Sequence, residues 1–372
     1  MSNTAQAENI YNSGLAANCA VDAPPSGGAP SDQQGALTQA LRLAGAALRG
    51  QPGSAEALAS FTAILDAVAR HEEAMVAFGK LLVACANDAA GQSNALKRLI
   101  EIENVAAARL DQLTQVGLLR SWNEELEKPR YADPKRLLRY GFKVYSQCDE
   151  DGIIQEIFRR IGTTNRVFVE FGVEAGSECN SVKLLVEGWR GLWLDAQQQL
   201  IDQIHKNFKP FIENGKLAVS QAFITAENID SLIAKTGVTG EIDFLTIDID
   251  HNDYWVWKAI TVIQPRVVAI EYNATMHPPL SVVVPYEPNR TWNGTNYFGA
   301  SLEALVRLGR SKGYQLVGCN FSGTNAFFVR DNLVDDLFLE PATAEEHYEP
   351  PRYHFGYLKA GHRPQPGPYV TV

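Results

Sequence analysis

Cysteine is scarce in this chain of 372 residues. There are five, Cys19, Cys85, Cys148, Cys179 and Cys319, widely spread and without a C-x-x-C pair. An odd, scattered set excludes a disulfide framework and a zinc knuckle and suits a reducing cytosol. Long apolar runs are missing too: no stretch approaches the roughly 20 residues needed to span a bilayer. The opening MSNTAQAENIYNSG has neither the basic nor the apolar segment of a secretory signal, so the expectation is a cytoplasmic protein with no membrane span. No basic run offsets the formal net charge of -10. That balance speaks against nucleic acid or an anionic membrane surface as partner.

What is present is sorted along the chain. Hydrophobic residues make up 45% and charged residues 20%, enough for one large domain or two smaller ones. Residues 1–34, rich in Ala, Gly, Ser, Pro and Asn, predict a disordered tail. From 35 to 127 Ala and Leu dominate, with apolar residues at three- and four-residue spacing. Leu58, Phe61, Leu65 and Val68 form one stripe; Leu96, Leu99, Ile102 and Val105 start another. About three helices are expected, packed as a bundle that carries no catalytic constellation. Its expected role is packing, or assembly of a homo-oligomer. Residues 128–139, with two prolines, read as a linker to a domain over 140–372.

In that domain short apolar runs alternate with amphipathic segments. Strands are expected at Val167–Phe171, Gly191–Leu194, Leu217–Ala222, Phe244–Ile247, Val267–Glu271, Tyr314–Gly318 and Ala326–Val329. Helices are expected at Glu150–Ile161, Asn180–Glu187, Gln198–Asn207, Asn228–Lys235, Tyr254–Val262 and Leu302–Lys312. This alternation predicts an α/β fold, a Rossmann-like parallel sheet with helices on both faces. The last two strands, joined by a short loop with Gly323, predict an antiparallel hairpin at its edge, as in class I methyltransferases.

The first motif is VFVEFGVEAGSECN, Val167 to Asn180. An apolar strand meets Glu170, then Gly172, Glu174 and Gly176, then a helix. Glycine allows a sharp turn and close backbone approach to a ligand, and the helix N-terminal amides face that ligand. Dinucleotide sites want G-x-G-x-x-G around a pyrophosphate; here the pattern is E-x-G-x-x-x-G. A carboxylate at the strand end suits a ligand with an ammonium group, and S-adenosylmethionine carries an amino group and a sulfonium. A plain tight turn accounts for the same residues without a ligand. In GWRGLWLDA, Gly188 to Ala196, the strand ends on Asp195. A carboxylate there accepts ribose hydroxyls or caps the next helix. Gln221 and Ala222, closing the third strand, would border an adenine.

The third motif, FLTIDIDHNDYWVW, sets Asp248, Asp250 and Asp253 around the end of a buried strand, and VVAIEYN sets Glu271 and Asn273 at the end of the next. Hard cations such as Mg2+ accept such oxygen ligands. The metal candidates are Asp248, Asp250, Glu271 and Asn273. The same corner offers catalytic groups, Asp248, Asp250, His251 and Glu271, any of which can hold or take a proton. Helix capping and loop bracing are the alternative use of these side chains. His277 and the loop aromatics, Trp292 above all, are placed to meet a flat substrate or a sugar.

Taken together with YSQCDEDGIIQEIF, Tyr145 to Phe158, these motifs resemble the FkbM-type methyltransferases in order and spacing over residues 140–372, and not over the N-terminal helices. The resemblance implies transfer of a methyl group from S-adenosylmethionine to a hydroxyl of a sugar, glycan or natural product. Carried over by position, Glu170, Gly172 and Gly176 line the cofactor with Glu174, Asp195 holds its ribose, and Gln147 and Asp151 sit near its methionine end. Asp248 is the acidic residue after the fourth strand. His251 departs from the pattern, which has a glycine there. Two rival readings remain: a nucleotide-dependent sugar-modifying enzyme on a Rossmann domain, and a non-catalytic scaffold that keeps the fold.

Overall fold

The computed structural model describes residue 117, residues 119–353 and residues 361–372. The tail expected at 1–34 lies outside the described residues. So does the helical bundle expected at 35–127, except for its end, where residues 119–126 are helical. No helix among the described residues is long and apolar enough to cross a membrane.

Residues 128–139 are built into the domain, which corrects the linker reading. Pro129–Tyr131 and Leu137–Tyr140 form short 3-10 turns that bury Tyr131, Leu137 and Leu138. Pro129 opens its turn at a position where a missing N–H costs nothing. The Tyr131 hydroxyl donates to Glu349 at 2.8 Å, and the Arg136 guanidinium pairs with Glu346. A segment that looks loose in composition is thus held by partners near the other end of the domain.

From there strands and helices alternate. The order is α1 (Glu150–Ile161), β1 (Val167–Phe171), α2 (Val182–Val186), β2 (Arg190–Asp195), α3 (Gln198–Asn207), α4 (Lys209–Glu213), β3 (Leu217–Gln221) and α5 (Ile229–Ala234). It continues with β4 (Gly240–Ile247), α6 (Asp253–Ala259), β5 (Ile263–Glu271), β6 (Val282–Val283), α7 (Leu302–Ser311), β7 (Tyr314–Cys319), β8 (Asn325–Arg330), α8 (Ala344–His347) and β9 (Val370–Thr371). β1 is buried along its whole length, as expected of a strand covered on both faces.

The main sheet runs β3-β2-β1-β4-β5-β8-β7. Its first five strands are parallel; β8 is antiparallel to both β5 and β7. This is the Rossmann-like sheet with the antiparallel edge hairpin that the pattern predicts. α1 and α3 have the expected limits. β5 does not: it starts at Ile263, before the expected Val267, and shortens the helix ahead of it to Ala259. Pro265 and Arg266 hide that start in the sequence, because proline cannot donate to a ladder. The sheet tolerates Pro265 because β8 pairs with β5 only from Val267 onwards. Trp257, on α6, fills the core against Tyr314 and Phe328.

One buried charge pair pins the base of the sheet. Asp243, on β4, accepts from the amides of Thr164, Asn165 and Arg166 just ahead of β1. It also accepts from Arg266 of β5 at 2.9 Å, and Arg266 donates onward to the carbonyls of Ile161 and Gly162. Burial favours the neutral acid, but these amides and Arg266 outweigh it and hold the Asp243 carboxyl below its ordinary range. Asp243→Ala leaves a buried guanidinium unpaired, so it should lower stability at pH 7 by about 3–5 kcal/mol. The loss should shrink as pH falls below about 4, where the unfolded aspartate takes up a proton before the folded one does, and vanish once pH has passed the lowered folded value. Urea unfolding at the two pH values measures both effects. A loss under about 1 kcal/mol at neutral pH would remove this pair from the account of the fold.

Candidate functional site

The parallel strands end level with one another. Phe171 lies beside Leu194 and Ile247, and Ile247 lies beside Ile270. One residue further on, Gly172, Asp195, Asp248 and Glu271 therefore form a row along the C-terminal edge of the sheet. Open α/β sheets bind their ligands at that edge.

Gly172 is demanded by the fold itself. Its φ is +71°, and a Cβ there would lie 1.6 Å from the Asp248 carbonyl oxygen. No other residue lets β1 and β4 end so close together. The loop that follows is tied to β2 by one carboxylate. Asp195 accepts from the Glu174 amide through Oδ2 and from the Gln197 amide through Oδ1, both at 2.9 Å. Its carbonyl accepts from the Ala222 amide at 2.8 Å, and the Gln221 side chain donates to the Ala196 carbonyl at 3.1 Å. Glu174, Asp195, Gln221 and Ala222 are thus brought together. Asp195 braces the loops with one lone pair on each oxygen. Gly176 turns at φ +78°, and a Cβ there would lie 2.6 Å from the Phe208 ring, so packing accounts for it as well.

Glu170 corrects the sequence reading. Its carboxylate accepts from the Asn180 amide at 2.8 Å, the Ser181 amide at 3.1 Å and the Ser181 hydroxyl. Both oxygens serve the chain entering α2 rather than a ligand ammonium. Burial outweighs these bonds and pushes its pKa up to about 7. Asp151, at the start of α1, keeps one oxygen free of the chain. Oδ2 gathers the amides of Val144, Tyr145 and Ser146 at 2.7, 2.6 and 2.9 Å, while Oδ1 is buried without a partner. Gln147, half-buried, belongs to the same bend, its carbonyl accepting from Lys143 at 2.8 Å.

At the far end of the row the carboxylates crowd. One oxygen each from Asp248, Asp250 and Glu271 lie within 4.8 Å of one another. Asp253, 1% exposed, stands behind them: Oδ1 accepts from the Ile249 amide at 2.8 Å, and Oδ2 has no partner. Burial, then the charges of Asp250 and Asp253, hold Asp248 well above its ordinary range. Burial, then Asp248, Asp250 and Asp253, do the same to Glu271. Asp250 lies at the exposed rim but is walled by protein on its other sides; this wall, then Glu174 and Asp195, lifts it to about 6. Asp253 rises to about 7 through burial and then Asp250, against the pull of the Ile249 bond. Among the described residues no lysine or arginine pairs with any of the four.

Two sequence candidates do not join them. Asn273 donates to the carbonyls of Asn296 and Phe298 at 2.8 and 3.0 Å, and its oxygen accepts from the Thr275 amide and hydroxyl. Fully buried and committed at both ends, it braces a loop and is no metal ligand. His251 is outside the three-oxygen cluster. Its buried ring meets the edge of Tyr297, and burial, then Arg290, lowers its pKa to about 4. A neutral, packed imidazole is a poor base at pH 7. His277 is exposed, 3.4 Å from the Tyr348 hydroxyl. Trp292 sits at the surface, its Nε1 donating to the Thr295 carbonyl and its ring against His362. The sequence reading missed Tyr353, whose ring also meets His362. Its buried hydroxyl has no partner and is raised first by burial and then by the Glu271 charge. No local signal marks that tyrosine, which comes from the C-terminal segment.

No family profile and no curated protein sequence matches the chain. Solved structures similar to it include an O-methyltransferase from Bacillus cereus in complex with S-adenosylhomocysteine, 18% identical, with a TM-score of 0.26 over 43% of this chain and 66% of that one. Others are an S-adenosylmethionine-dependent methyltransferase from Clostridium acetobutylicum, 11% identical, TM-score 0.33, over 57% and 98% of the two chains, and a putative RNA methyltransferase from Pyrococcus horikoshii, 10% identical, TM-score 0.32, over 59% and 97%. At such values the chemistry rests on this chain's own residues.

The crowded corner carries a pH signature. A carboxyl with a raised folded pKa favours the folded state below that pKa and loses this contribution as pH rises through it. Buried His251 and His347, both lowered to about 4, act in the opposite sense, so the effect is read as a difference between proteins. Asp253→Asn should gain stability relative to the unsubstituted protein, by at least about 1 kcal/mol on going from about pH 5 to pH 8. Thermal or urea unfolding measures it; a difference that does not grow with pH would contradict the raised carboxyl.

Proposed function

We propose that the domain at 140–372 is an S-adenosylmethionine-dependent O-methyltransferase of the FkbM type, acting on a hydroxyl of a sugar, glycan or natural product. The observation that carries this reading is the row Gly172, Asp195, Asp248 and Glu271 at the C-terminal edge, acidic at three of its four positions. An edge so charged suits a ligand bearing positive charge and repels a diphosphate, which speaks against a dinucleotide. Unpartnered buried oxygens on Asp151, Asp253 and Glu271 speak against a scaffold that has outlived its ligands, since such groups are costly to keep.

The cofactor, when bound, supplies a methyl group on a positively charged sulfur. Around it Asp195 keeps lone pairs for ribose hydroxyls, and Asp151 offers Oδ1 to the ammonium group. Gln221 and Ala222 border the place of the adenine. The acceptor enters over Glu271, where Trp292, Tyr353 and His362 give it flat surfaces. A neutral alcohol is a weak nucleophile, so its proton must leave as the oxygen–carbon bond forms and the carbon–sulfur bond breaks. Asp250, lifted to about 6, is matched to that task; Asp250 or Glu271 takes the proton, with Asp248 holding the geometry. Residues 35–127, expected from their sequence pattern to be helical, serve to join copies of the chain.

Calorimetry of the full chain against S-adenosylhomocysteine, NAD and a nucleotide sugar should show binding of the first alone. Asp195→Ala should weaken it by more than about tenfold, the loss of a charged hydrogen-bond partner worth about 1.5–3 kcal/mol. Glu271→Gln, toward the acceptor, should change it by less than about threefold. Failure of S-adenosylhomocysteine to bind the unsubstituted chain would sink the reading.

A further inference from the structure

We propose that Asp248, Asp250 and Glu271 bind a divalent cation of the hard, oxygen-seeking kind, with Asp253 as the buried carboxylate behind them. Binding of the ion stands independently of the methyl-transfer reading; its use to acidify an acceptor hydroxyl rests on that reading and, with the ion bound, takes the place of proton removal by Glu271 or Asp250.

Three observations meet here. The first is geometric. Two adjacent strand ends bring three carboxylate oxygens within 4.8 Å of one another. Oxygens sharing a Mg2+, Mn2+ or Ca2+ ion at about 2.1–2.5 Å stand roughly 3–3.5 Å apart, so a small inward movement of side chains closes the shell. The cluster contains no histidine or cysteine, which favours a hard ion over zinc. The second is electrical. Among the described residues no lysine or arginine forms an ion pair with Asp248, Asp250 or Glu271, and the largest charges acting on Asp248 and Glu271 are carboxylates. Like charges at this spacing, partly out of water, call for a counter-ion.

The third is Asp253. It is 1% exposed, and its Oδ2 has no partner. Its charge bears on Asp248 and Glu271, and the charge of Asp250 bears on it in turn. Oδ1 holds the Ile249 amide at 2.8 Å, fixing the backbone between two of the ligands. A buried oxygen with an open lone pair beside a carboxylate cluster is the arrangement that orients ligands and their water around an ion. The cofactor's ammonium group does not account for it, because Asp151 on α1 supplies a separate unpartnered oxygen for that charge.

The test uses the full chain, stripped with a chelator and titrated with Mn2+ under electron paramagnetic resonance, with and without saturating S-adenosylhomocysteine. One Mn2+ per chain is expected in both conditions. Asp250→Asn and Glu271→Gln should each weaken it at least about tenfold, and Asp253→Asn by a similar factor. These variants remove like-charge repulsion, so they are expected to fold; the stoichiometry of the unsubstituted chain decides the matter even if one does not. No saturable Mn2+ site below about 1 mM, a site indifferent to Asp250→Asn and Glu271→Gln, or displacement of the ion by S-adenosylhomocysteine would each overturn the proposal. S-adenosylhomocysteine bound without metal defeats the ion and leaves the function; metal bound without S-adenosylhomocysteine does the reverse.

Discussion

The structure turns on a conflict between packing and charge. Parallel pairing brings the ends of β1, β2, β4 and β5 level, and whatever residues follow those ends must share one narrow edge. In this chain they include Asp195, Asp248 and Glu271, with Asp250 and Asp253 just beyond. Carboxylates so close repel one another and resist ionisation in a partly dry setting. The fold holds them there without an ion pair from any lysine or arginine among the described residues.

The means of holding them is a set of polar braces placed away from the open edge. Asp243 and Arg266 lock the entry to β1 against β4 and β5. Glu170 secures the start of α2. Near the hairpin, Glu150 accepts from Asn320 and Asn325, and Asp149 accepts from the Phe321 amide, joining the start of α1 to the β7–β8 loop. Tyr131, Glu349 and Arg352 hold the 128–139 segment to the C-terminal part of the domain. Each brace satisfies buried polar groups with neighbours distant in sequence, which favours one arrangement of the chain over looser ones. The rigidity matters for the edge, since carboxylates on a soft scaffold would move apart or turn to water.

The architecture was largely legible from the residues. Apolar runs, amphipathic segments and glycine turns are local signals, and α1, β1 and α3 fall where those signals set them. Legibility fell where polar residues lie inside elements. Asp243 disguised the first half of β4, and Pro265 with Arg266 disguised the start of β5, because their partners lie on other strands. The prolines near residue 130 suggested a linker because composition does not reveal that Tyr131 and Leu137 are buried.

The candidate site divides along the same line. The sequence by itself determined the alternation of strand and helix, the acidic ends of the strands and the need for glycine at 172. Each of these depends on a few consecutive residues. Only the tertiary structure decided what each polar end does. Glu170 caps a helix entry, Asn273 braces a loop, His251 packs against Tyr297, and Asp248, Asp250 and Glu271 converge. A carboxylate or an amide takes its role from whichever donors, charges or solvent it meets. At a sheet edge those neighbours come from strands and loops far along the chain, and the register between strands, not the spacing within one, brings them together.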